Sequence, residues 1–167
     1  MLRMANPGSD INSFIRIYIE LFECLKHKTS FNLDDISRVL IERNMATSCG
    51  FMGEEALKRS NRDDRTRDPL FNQSKMYSEL FKILGWLHPT KEGALVFTFT
   101  FLGAHVIEAQ KYPYDLFNEC LLGIVYPNPI LDNKGNIKIR PFSTILKTIH
   151  ELDDKICRDE LIVGPLC

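Results

Sequence analysis

Apolar residues first recur at helical spacing from Ile11, where Ile11, Phe14, Ile15, Tyr18, Leu21, Phe22 and Leu25 fall on one face. Asp10 stands at the N-cap position of this helix, and Lys26, His27 and Lys28 suit its negative C-terminal end. A second stripe, Leu33, Ile36, Val39 and Leu40, predicts a helix that fades near Asn44. Asn32 and Asp35 have the spacing of a capping box at its start. Met45 to Asp68 is irregular, with one short helix expected around Glu54–Arg59. Asp68-Pro69 is a helix start, because proline at the first position gives up an N–H that would be unpaired anyway. The third helix carries Met76, Tyr77, Leu80, Phe81 and Leu84 and stops at Gly85.

The period then changes. Trp86-Leu87-His88, the turn-forming Pro89-Thr90-Lys91-Glu92-Gly93 and Leu95-Val96-Phe97-Thr98 read as strand, turn, strand. The alternation Phe97, Phe99, Phe101 predicts a strand face packed on the core. Helices are expected from Phe101 to Gln110, from Tyr114 to about Val125 and from Pro141 through Leu152. Between the last two lie Pro127-Asn128-Pro129, a turn at 132–136 and the short extended piece Ile137–Arg140. The apolar residues Leu161-Ile162-Val163 near the end suggest one piece of a longer polypeptide or one subunit of an assembly.

Composition narrows the function. The 167 residues carry 21 Lys+Arg against 22 Asp+Glu, so no net charge draws the whole chain to nucleic acid or membrane. There is neither a membrane-length apolar run nor a signal-peptide pattern in the first ten residues, which makes the expected location cytoplasmic. Five cysteines without a close pair, and four scattered histidines, give no disulfide framework and no metal motif. Gly50-Phe51-Met52-Gly53 is not a phosphate-binding loop.

Charge is uneven locally. Residues 58–67 hold five cations and two carboxylates, a local +3 immediately before the third helix. Three helices followed by a tight hairpin is the order of a winged helix. Such a domain presents the third helix to the major groove and the hairpin tip to the backbone. The chain is therefore expected to be predominantly helical α+β. A winged-helix domain over 1–111 precedes a helical linker and the start of a second helical or winged-helix subdomain over 112–167. The candidate contacts to double-stranded DNA are Lys58, Arg59, Asn61, Arg62, Arg65 and Arg67 before the helix. Gln73, Ser74 and Lys75 on the helix and Lys91 at the wing tip complete the set. Arginine suits guanine edges and phosphates bidentately, and asparagine suits adenine. Ser78, Glu79 and Lys82 are expected on the same exposed face. The alternation of Arg and Asp over 61–68 also fits a solvated loop whose charges pair with one another.

The run Thr66-Arg67-Asp68, Tyr77 to Leu87 and Leu95 to Ala104 resembles the DNA-recognition region of type IIS restriction and nicking endonucleases of the FokI and AlwI kind. The similarity continues at Tyr112-Pro113, Pro127-Asn128-Pro129, Ile139-Arg140-Pro141-Phe142, Ile145-Leu146 and Asp159-Glu160-Leu161. It covers roughly residues 66–163. The resemblance implies recognition by winged-helix subdomains and cleavage by a separate Mg²⁺-dependent nuclease domain or subunit, with no cofactor in this chain. The nuclease core needs an Asp and an acidic-x-Lys motif on adjacent strand ends. Asp132-Asn133-Lys134, with Asp115 upstream, and Asp153-Asp154-Lys155 match the short pattern, but in a turn and at a helix end. Both are read as chance matches, and no catalytic residue is assigned. The alternatives are a winged-helix transcriptional regulator, dimerising through its last two helices, and a protein-interaction adaptor.

Overall fold

The computed structural model describes residues 10–48, 51–60, 64, 67–108, 113–126, 128, 138–157 and 159. The chain divides into two units, Met1–Pro113 and Tyr114–Cys167. The α+β class is as expected.

The first unit runs α1 (Ile11–Leu25), β1 (Phe31–Asn32), α2 (Leu33–Glu42), β2 (Thr47–Ser48), β3 (Phe51–Met52), α3 (Gly53–Lys58), α4 (Pro69–Ile83), β4 (Leu87–Thr90), β5 (Gly93–Phe99) and α5 (Phe101–Glu108). Local chemistry sets the helix starts. The Asp10 carboxylate accepts from the Asn12 N–H, and Asn32 and Asp35 close a capping box. Asp68 accepts from the N–H groups of Leu70 and Phe71 ahead of Pro69. At the other end of α4, Gly85 takes φ +78°, a left-handed conformation that ends the helix at little cost only for glycine.

The antiparallel sheet has the order β1-β5-β4, with Phe31 opposite Phe97 and Leu87 opposite Phe99. Helix, strand, two helices and a hairpin whose last strand lies in the middle is winged-helix connectivity. Here α1, α2 and α4 are the three helices and β4–β5 is the wing. Two pieces go beyond the helix–helix–helix–hairpin string. One is β1, and the other is the β2–β3–α3 insertion between α2 and α4, in which Thr47 pairs with Met52. Each of these strands is two residues long, too short for alternation to register in a sequence.

The core is aromatic. Tyr18 and Trp86 ring centroids lie 4.6 Å apart and Phe14 and Phe81 4.8 Å apart, all four fully or nearly buried. The offset, tilted rings are the arrangement that aromatic quadrupoles favour. The Thr100 hydroxyl donates to the Gly85 carbonyl (2.6 Å) and accepts from the Gly103 N–H (2.9 Å), which ties the start of α5 to the end of α4. A Cβ at Gly103 would collide with the Tyr18 hydroxyl and the Trp86 carbonyl, so only glycine permits this approach. One expectation fails here. Phe97 is buried, but Phe101 is 90% exposed, because the strand ends at Phe99 and Phe101 begins α5.

In the second unit, α6 (Pro113–Gly123) and α7 (Pro141–Glu151) flank a single antiparallel bridge between Tyr126 and Ile139. Asp115 lies in the first turn of α6, whereas Asp153 and Asp154 have positive φ just past α7. The turn at 132–136 and the apolar run 161–163 lie outside the described residues. Among the described residues no helix is long and apolar enough to cross a membrane.

Candidate nucleic-acid interface

In a winged helix, the helix equivalent to α4 is the groove reader. Its first three turns sort by angle. Leu70, Ser74, Tyr77, Ser78 and Phe81 are buried and follow the spacing of a single helix face. Opposite them, Asn72 and Lys75 are exposed and Met76 and Glu79 partly so. At ~100° per residue, Asn72, Lys75 and Glu79 fall within a sector of about 60°. Lys82 and Ile83, within about 20° of the edges of that sector, are buried, so the stripe is open only as far as Glu79.

Three side chains expected on the exposed face of α4 are buried instead. Ser74 is fully buried, and its hydroxyl lies 2.7 Å from that of Ser37 on α2. Ser78 is also fully buried, with its hydroxyl donating to the Lys75 carbonyl at 2.8 Å. Lys82 is nearly buried, its ammonium 5.5 Å from the Phe97 ring centroid. Loss of hydration there lowers the Lys82 pKa; Glu79 works against that shift and Lys75 adds to it. Small hydroxyls enter a helix interface readily when each finds a partner, and a lysine stem packs as a hydrocarbon.

Gln73 is occupied as well. Its carbonyl oxygen accepts from the Thr47 N–H (3.1 Å), and its amide donates to the Thr47 hydroxyl (2.9 Å). This pair fastens the β2–β3–α3 insertion to α4, so Gln73 positions the insertion rather than presenting a free amide to a base edge.

The described cations just before α4 sit on the surface beside local partners. Lys58 and Arg59 both approach Glu55 (3.8 and 3.3 Å), and the Arg59 guanidinium lies 3.6 Å from the Phe51 ring centroid. Arg67 approaches Asp64 at 3.4 Å with its side chain 83% exposed. Exposed pairs of this kind contribute only about 0–1 kcal/mol, so a phosphate competes for them on equal terms. Asn61, Arg62 and Arg65 lie outside the described residues. Asp68, which caps α4, also accepts the hydroxyl of Ser60. Lys91 is exposed at the wing tip. There the Glu92 N–H donates to the Thr90 hydroxyl (3.3 Å), and the Ser30 hydroxyl reaches the Glu92 carboxylate (3.2 Å).

A cavity of about 470 Å³ between α2, α3 and the start of α4 bears Asp34, Arg38 and Glu42 over Ile41, Leu57 and Phe71. Its mixed charge gives no anion site. Among the described residues, no group of three or more His, Cys, Asp or Glu side chains is placed to hold a metal ion.

The expected exposed face of α4 left out Asn72, which is exposed, and included Ser74, Ser78 and Lys82, which are buried. The signal was present: counted from the Asp68 cap, Leu70, Ser74, Tyr77 and Phe81 make the inner face and leave 72, 75 and 79 outside. A stripe begun only at Met76 hides it. No family model, curated protein or solved structure matches this chain.

Proposed function

We propose that the Met1–Pro113 unit is a double-stranded DNA recognition module, serving a restriction-type endonuclease whose cleavage is performed elsewhere. The observation that carries this reading is winged-helix connectivity with Lys75 exposed on α4, the helix in the groove-reading place. A lysine there suits a guanine edge in the major groove. Lys58, Arg59 and Arg67, with Lys91 on the wing, provide the phosphate contacts that fix register. The restriction-type assignment rests on the resemblance over residues 66–163.

The test is binding of the full chain to mixed-sequence duplex by fluorescence anisotropy at several salt concentrations. A negative slope of log K against log salt is expected, since phosphate contacts release counterions. Absence of binding at low salt overturns the proposal. An asymmetric selected site bound by a monomer fits the restriction-type module, whereas a palindromic site bound by a dimer fits a transcriptional regulator.

One observation favours a second reading, a protein-docking adaptor. Phe101 is 90% exposed and Leu102 is exposed beside it at the head of α5. That reading expects no salt-dependent DNA binding.

A further inference from the structure

We infer that the groove between α2 and α3 docks a basic amphipathic helix from another polypeptide, its apolar residues resting on Ile41 and Met52 and its Lys or Arg side chains meeting Glu42 and Glu54. The inference goes beyond the DNA-recognition reading and does not depend on it. It starts from the β2–β3–α3 insertion. Gln73 and Thr47 fasten this piece to α4, and the Gly53 N–H donates to the Ala46 carbonyl (3.0 Å) just after α2. So held, α3 stands beside α2 with apolar surface left open between them. Met52 is 56% exposed, and Ile41 and Leu57 are only half-buried. Two cavities, of about 470 and 410 Å³, share Ile41 and Glu42, so the groove is continuous along α2. From Asp34 to Glu42 it follows about 12 Å of helix, room for two turns of a partner.

Charge selects the occupant. The second cavity is lined around Met52 by Glu42, Glu54 and Glu55, with no cation among its described lining residues. Lys58 and Arg59 pair with Glu55, and Arg43 beside Glu42 is turned to Glu20 at 3.2 Å. Arg38, farther along the groove, lies 3.8 Å from Asp35. Glu42 and Glu54 are exposed and take part in no ion pair among the described residues. Nor are the carboxylates there placed to hold a metal ion. An apolar floor between unpaired carboxylates repels phosphate and suits a helix whose apolar stripe is flanked by cations.

The test uses the full chain and two labelled helical peptides with the same leucine stripe, one flanked by lysines and the other by glutamates, with binding read by fluorescence anisotropy. The lysine peptide is expected to bind and the glutamate peptide is not. Glu42→Gln together with Glu54→Gln is expected to weaken the lysine peptide by about 2- to 30-fold, as loss of two exposed ion pairs does. Met52→Ser is expected to weaken it by about 4- to 12-fold, through one or two methylenes left in water. All three side chains are exposed, and thermal melts verify that each variant is folded. No binding of the lysine peptide overturns the inference, as does equal binding of both peptides. Binding indifferent to the two glutamine changes lies elsewhere on the chain and overturns it too. A response to those changes with none to Met52→Ser is charge attraction alone and likewise overturns docking. Self-association of the chain that the glutamine changes abolish makes a second copy the occupant instead. Duplex binding is followed on the same samples, so failure of the DNA reading and failure of this one are separate results.

Discussion

Ser37 and Ser74 join α2 to α4 through hydroxyls 2.7 Å apart. Because the Ser37 hydroxyl also donates to the Leu33 carbonyl at 2.9 Å, the Ser74 hydroxyl is the donor between them. The pair is thus directional. Ser74→Ala leaves Ser37 with its donor bond and is expected to cost about 0.5–1.5 kcal/mol in urea unfolding. Ser37→Ala strands a buried hydroxyl on α4 and is expected to cost more, about 1–3 kcal/mol. Neither change is expected to alter DNA affinity at temperatures where the variant is folded, and a selective loss of binding in Ser74→Ala would return that residue to the interface.

Glycine substitutions are expected to divide sharply. Gly103→Ala drives a methyl into the Trp86 carbonyl and the Tyr18 hydroxyl, and an overpacked core costs about 1–3 kcal/mol. Nothing lies within 4 Å of a Cβ at Gly123, so Gly123→Ala is expected to be neutral or mildly stabilising. Thermal melts of the two variants check the contrast.

Acid sensitivity is expected to involve Asp35. Burial on its own raises this carboxyl's pKa. Hydrogen bonds from Lys28 and the Asn32 N–H, together with the charges of Lys28 and Arg38, outweigh burial and hold it below 3.8. A carboxyl lowered in the folded state stabilises fully above its unfolded pKa and loses that contribution as pH falls through the folded value. Asp35→Asn is therefore expected to be less stable than the parent at pH 7, with the two converging below about pH 4. A gap that persists at pH 2 contradicts the assignment.

Lys82 is expected to give a rise of stability with pH of the same sign at the alkaline end. Loss of hydration lowers its pKa from 10.5, so the folded state disfavours the ammonium at neutral pH and gains stability as pH rises through the folded value. Lys82→Met keeps the stem packed over Phe97 and removes the charge. It is expected to be more stable than the parent at pH 7, with the advantage shrinking toward pH 10.5. Equal stability across that range would show that the ammonium is fully hydrated.

Two exposed lysines are expected to separate affinity from selectivity. Lys91→Ala should weaken binding to all duplexes alike and reduce the salt slope by about 1, as loss of one phosphate contact does. Lys75→Ala should cost about 1–3 kcal/mol on the selected duplex and relax preference at one base pair. Equal losses on selected and mixed DNA for Lys75→Ala contradict base reading by α4.

The helix starts were legible because caps are local chemistry: Asp10, Asn32 with Asp35, and Asp68-Pro69 each act on the next few residues. The wing was legible from its turn residues and flanking apolar runs. β1 was not, since Phe31 becomes a strand residue only by meeting Phe97 more than sixty positions later. The interface was harder still. Ser74 and Gln73 look like surface polar groups until Ser37 and Thr47 are brought to them, and those partners come from other elements.

Pro89 lies in β4, which among the described residues has β5 as its one hydrogen-bonded neighbour in the sheet, and proline has no N–H to offer a further strand. The opposite margin, β1, is two residues long. Both edges of this sheet are therefore poor templates for strand addition, the route by which small sheets recruit neighbours or aggregate. Strand addition at this three-stranded sheet is thus disfavoured as a route to self-association.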